Sequence, residues 1–148
     1  MDPIVQIITA KAVYATATAW AVAQGLKVAI YYVRHKKMNF RLFVGTGGMP
    51  SSHSSFVSCM ATTIGLETSW DAPVFLLAMG VAIVIMFDAA GVRRAAGQQA
   101  KILNDIVDDL YSSRPVPPQR LKELLGHTPV QVIVGSAIGI VTGSIFYS

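Results

Sequence analysis

Four apolar runs separated by polar segments constrain this chain more than any other feature. Residues 4–33, 54–66, 73–90 and 130–147 are apolar with few interruptions. The first is broken mainly by Lys11, Gln24 and Lys27. The third carries one charge, Asp88, and the last carries none. A helix rises about 1.5 Å per residue and a hydrocarbon core is about 30 Å thick, so the first run exceeds a span and the third and last come close to one. The second is short for a span, which predicts a helix that is tilted or enclosed by the others. Only 14% of the residues are charged, against about 25% in a typical soluble domain. The expectation is a single all-α domain over residues 1–148, an integral membrane bundle of about four transmembrane helices.

The cations test that topology. Four spans put segments 34–50 and 91–128 on one side, and these hold ten of the twelve Lys and Arg residues: Arg34, Lys36, Lys37, Arg41, Arg93, Arg94, Lys101, Arg114, Arg120 and Lys122. The intervening turn at 67–72 holds none, but carries Glu67 and Asp71. The positive-inside rule then assigns both long polar segments to the cytoplasm and both termini to the opposite side. The net charge of +4 is therefore a membrane-side feature. No basic face interleaved with aromatics suggests a nucleic-acid partner. The single cysteine, Cys59, excludes an intrachain disulfide and reads as a small packing residue.

After the third run, Ile102, Leu103, Ile106, Val107 and Leu110 recur at helical spacing. They predict a cytoplasmic amphipathic helical insertion that stops before the extended Arg114-Pro115-Val116-Pro117-Pro118. A short amphipathic piece, 120–125, leads into the last run. There Gly135, Gly139 and Gly143 repeat every four residues, a close-packing face for another membrane helix or for a homodimer.

The chemistry-bearing residues collect on the basic side. Gly47-Gly48-Met49-Pro50-Ser51-Ser52-His53-Ser54 reads as a tight turn entering a helix, with serines to cap or line the first turn. Free N–H groups and hydroxyls in such a turn suit an anion, phosphate above all. His53 opens the second apolar helix and His127 opens the last. Arg93 and Arg94 leave the third, and Lys27 lies near the end of the first. An ionisable residue inside a span marks a functional site, or else a side chain that snorkels. Two imidazoles and nearby cations suit phosphoryl transfer: one imidazole attacks phosphorus, the other protonates the leaving oxygen. No His, Cys, Asp and Glu spacing suggests a metal, so neither metal nor cofactor is expected.

These stretches resemble a known pattern. Met49-Pro50-Ser51-Ser52-His53 is similar to the Pro-Ser-Gly-His motif of the type 2 phosphatidic acid phosphatase (PAP2) superfamily, which includes vanadium haloperoxidases. Gly126-His127-Thr128-Pro129-Val130-Gln131-Val132, with Gly135, is similar to the end of its third motif. The arginine expected six residues before that histidine is instead represented by Arg93 and Arg94, more than thirty residues upstream, as if an insertion split the motif. With Asp88-Ala89-Ala90-Gly91-Val92-Arg93-Arg94, the set resembles the divergent PAP2 family, DUF212, over nearly the whole chain from Gln24 onward.

The resemblance implies His127 as a nucleophile forming a phosphohistidine and His53 as the general acid. It implies phosphate binding by Lys27, Gly48, Ser51, Ser52, Arg93 and Arg94. Arg34 has the right spacing from Lys27 for the first motif, but His35 follows it instead of proline. The acidic residue that orients the nucleophile falls at Gln131. Its amide oxygen can orient an imidazole but cannot offset an imidazolium by charge. Asp88 could supply that charge or pair with Arg93 or Arg94. The expected activity is hydrolysis of a phosphomonoester or pyrophosphate lipid headgroup at the cytoplasmic interface. The alternative is a non-catalytic membrane protein that binds anionic lipid headgroups. A haloperoxidase is a poor third.

Overall fold

The computed structural model describes residues 10–38, 48–111 and 126–148. Five helices make up the described chain: α1 (Lys11–His35), α2 (Ser52–Glu67), α3 (Pro73–Ala90), α4 (Val92–Tyr111) and α5 (Pro129–Tyr147). The described residues contain no strand. Pro73 and Pro129 open α3 and α5, where a missing N–H costs nothing and the fixed φ suits the first turn. The Pro115–Pro118 linker and the 120–125 piece lie outside the described residues.

The 16-residue α2 is the centre of the bundle and packs against α1, α3 and α5. The short second run is thus enclosed. Its buried positions are mostly small or hydroxylic: Ser54, Ser55, Ser58, Cys59, Thr62 and Thr63. Most of the hydroxyls find backbone partners. Ser55 donates to the Ala19 carbonyl of α1 at 2.9 Å, Thr62 to Ser58 and Thr63 to Met60. Among the described residues no buried side-chain nitrogen or oxygen lacks a partner.

Large apolar side chains face outward instead, Phe87 with 74% of its surface exposed and Leu77, Val84, Ile133 and Ile145 similarly placed. This arrangement suits lipid, where close backbone packing rather than expulsion of water holds helices together. Two stretches, Pro73–Asp108 and Pro129–Tyr147, are long and apolar enough to cross a membrane. At 25 residues α1 also has the length.

The glycines of α5 belong to this interior. A Cβ on Gly135 would stand 2.3 Å from the Ser51 carbonyl oxygen, and one on Gly139 2.2 Å from that of Ser55. Gly143 faces Thr62. The homodimer through this face is therefore corrected: α2 of the same chain already fills it.

Contacts at the two ends show that α1, α2, α3 and α5 alternate in direction. The C-terminal turns of α1 and α3 meet the N-terminal turns of α2 and α5 at one end. At the other, the Tyr147 hydroxyl donates to Glu67, and the Lys11 ammonium lies 4.9 Å from the Tyr147 ring centroid. Lys11 thus has a partner in the bundle. Among the described residues, α4 packs on α3 alone of the helices.

Candidate functional site

Two backbone hydrogen bonds assemble one end of the bundle. The Ser51 N–H donates to the Gln131 carbonyl at 3.0 Å, joining the start of α2 to the first turn of α5. The His127 N–H donates to the Ala89 carbonyl at 2.8 Å, joining the start of α5 to the last turn of α3. These links bring His53 and His127 together across 73 intervening residues, with ring centroids 6.3 Å apart and planes tilted by 59°. His127 is 4% exposed, while His53 is half-buried.

Gln131 fixes the state of His127. Its side-chain oxygen lies 3.1 Å from His127 Nδ1 and accepts the Thr128 N–H at 3.1 Å. The Thr128 hydroxyl in turn accepts the Gln131 N–H, completing a capping box. A backbone N–H needs an acceptor, so the amide must present its oxygen here and not its NH₂. An oxygen cannot donate, so Nδ1 carries a proton, and in the neutral imidazole the lone pair is then on Nε2. The residue that departs from the superfamily motif therefore still sets the tautomer a nucleophile requires.

A cavity of about 190 Å³ has Lys27, Tyr31, Arg34, Gly48, Met49 and Gln131 among its walls; neither His53 nor His127 lines it, and Gln131 links it to the His127 ring. Lys27 is 2% exposed and donates to Gln24 at 2.5 Å. It does not snorkel. Gly48 has φ +84°, and a Cβ there would stand 3.2 Å from Lys27 Cγ, so both backbone and space call for glycine. Tyr31 and His35, whose rings stack at 4.2 Å, also line the cavity and went unnoticed in the sequence. The signal was there: positions 27, 31, 34 and 35 share one face of α1.

The remaining predicted residues separate. Ser51 is 0% exposed, and its hydroxyl oxygen accepts both the Ser54 N–H and the Ser54 hydroxyl. It is the N-cap of α2, the capping role that the sequence offered beside phosphate binding. Ser52 is also buried. Asp88 is half-buried in the last turn of α3, next to the Ala89 carbonyl that holds His127. Arg94 is exposed in the first turn of α4. Arg93 precedes it, and its side chain lies outside the described residues.

An all-helical bundle with outward-facing apolar helices and a histidine pair near one end defines a small integral membrane protein with a polar site. The model of the divergent PAP2 family matches residues 8–142. The chain belongs to that family. It is also 40% identical over 129 residues to the uncharacterized membrane protein YuiD of Bacillus subtilis (strain 168), an alignment covering 80% of this chain and 82% of the relative. No solved structure matches the chain.

Proposed function

We propose that this protein is a lipid phosphatase that works through a phosphohistidine at His127. The observation that carries the reading is the approach of two imidazoles, with Gln131 shared between the His127 ring and a cavity bearing a buried lysine. Nucleophilic approach needs about 3–3.5 Å to phosphorus, and proton donation about 2.6–3.2 Å to the leaving oxygen. A centroid spacing of 6.3 Å is of that scale. His127 Nε2 forms the bond to phosphorus as the bond to the leaving oxygen breaks, and His53 gives that oxygen its proton. Water then attacks the phosphohistidine, gives its proton to His53 and releases phosphate. Lys27 and Arg34, with Arg93 or Arg94, offset charge on the non-bridging oxygens.

The proposal includes four spans, with the histidine end in the cytoplasm. The alternating helix directions, and ten cations in the two long segments against none in the 67–72 turn, support it. The amide at Gln131 favours a second reading, a headgroup binder that does not turn over. Detergent-purified protein assayed for phosphate release on a panel of lipid phosphates separates the two. Release that His127→Ala abolishes supports the enzyme. Binding without release supports the binder.

A further inference from the structure

Two apolar grooves run along the outside of the bundle. One, of about 530 Å³, lies between α3 and α5 and extends from Ala90 and Pro129 to Ile140. The other, of about 490 Å³, follows α2 between α1 and α3. Its walls include Ala17, Trp20, Phe56, Met60 and Ile85, and His53 stands at its N-terminal end on α2. Neither histidine lines the first groove.

Reaction geometry distinguishes them. In-line transfer places nucleophile and leaving oxygen on opposite sides of phosphorus. With His127 attacking, the leaving oxygen is on the His53 side, and whatever it carries must continue from there. The groove along α2 begins at that residue. We infer that this groove, and not the one between α3 and α5, holds the hydrocarbon chain attached to the leaving oxygen. The inference rests on the phosphatase reading. The bond from His127 Nε2 to phosphorus forms, the bond from phosphorus to the chain-bearing oxygen breaks, and the His53 proton makes the departing lipid an alcohol. Water cleaves the phosphohistidine as above. Trp20 and Met60 then act as specificity determinants for the chain, while the groove between α3 and α5 faces ordinary bilayer lipid.

The full chain in detergent is assayed on a long-chain lipid phosphomonoester and on a short, water-soluble alkyl phosphate. Ala17 is exposed on α1, and Ala17→Trp puts an indole into the groove along α2. Ala137→Trp does the same to the other groove. The expected result is a fall of at least about tenfold in kcat/KM for the long-chain substrate with Ala17→Trp alone, the short substrate being unaffected. Equal loss on both substrates by a variant that melts like wild type, or long-chain loss confined to Ala137→Trp, overturns the inference.

A second measurement needs no variant and no turnover. A lipid phosphate with a diazirine in its chain is photolysed on wild-type protein, with and without excess unlabelled lipid phosphate. Competed labelling at Trp20 or Met60 supports the assignment; competed labelling at Ile133 or Ile140, or none that competes, refutes it. Competed labelling along α2 without phosphate release from any substrate would leave the groove a chain site and remove the phosphatase reading. Release with labelling on α5 would do the reverse.

Discussion

Gln131→Glu tests how far catalysis depends on the charge that this chain lacks. The change keeps the capping box, since Glu at this position also accepts the Thr128 N–H. It adds an anion near the N-terminus of α5, worth about 0.3–1 kcal/mol in favour of the fold. Melting in detergent should therefore be unchanged or slightly higher.

The effect on the site is larger. The amide oxygen is 3.1 Å from Nδ1. Opposite unit charges at that separation attract by about 5 kcal/mol at an effective dielectric of about 20, an upper bound because both charges are spread over several atoms. Delocalisation and screening leave about 1.4–3 kcal/mol as the realistic range. Replacing the carboxylate by an amide in a serine protease costs about 10⁴, but there the tautomer is lost as well. Here Gln131 already holds the tautomer, so only the charge is gained and turnover should rise about 10–100-fold. The nucleophile works deprotonated, and a carboxylate favours its protonated form. The acidic limb of the pH–rate profile should therefore move to higher pH. Phosphate release and lipid affinity are measured together across pH. A wild-type rate with an unmoved acidic limb would refute the coupling between Gln131 and the nucleophile. Weaker lipid binding without hydrolysis would favour the headgroup binder.

Other outcomes follow from the packing. Gly139→Ala forces a Cβ against the Ser55 carbonyl and should cost about 1–3 kcal/mol, read as a lower melting temperature in detergent. Ser55→Ala removes the hydroxyl bond to Ala19 and should cost about 1 kcal/mol, whereas Ser144→Ala, whose exposed hydroxyl bonds only within its own helix, should cost nothing measurable. Lys27→Met should lower phosphate release by about 10²-fold or more, with the fold retained, because it removes a cation from the cavity wall. Cysteines at positions 38 and 112 should label from the cytoplasmic side and one at 69 from the other; labelling of all three from one side would overturn the four-span topology.

Much of the fold could be read from the chain because lipid-facing helices declare themselves. A long apolar run with proline at or near its start, broken at most by Asp88, left little choice for α3 and α5. The place of α2 was only half legible: its shortness suggested enclosure, but nothing local said which helices enclose it. The glycine repeat of α5 announced close packing without naming the partner, since small residues fit a neighbour in the same chain as well as one in another. In the site, Gln131 was legible because four residues along a helix return to the same face as His127. Ser51 was not. A serine before a helix suits a cap or an anion equally, and only its burial with Ser54 decides. The bond from Ser51 to Gln131 links distant backbone groups, and no side-chain pattern encodes it.

The central claim is that His127 takes phosphate from a lipid. Purified protein is mixed with a long-chain lipid phosphomonoester, quenched in base, where phosphohistidine survives, and mapped by mass spectrometry. The expected result is a phosphate on His127 that is absent from His127→Ala and disappears once substrate is exhausted. Lipid bound at the site, with neither an adduct on His127 nor phosphate in solution, would contradict it.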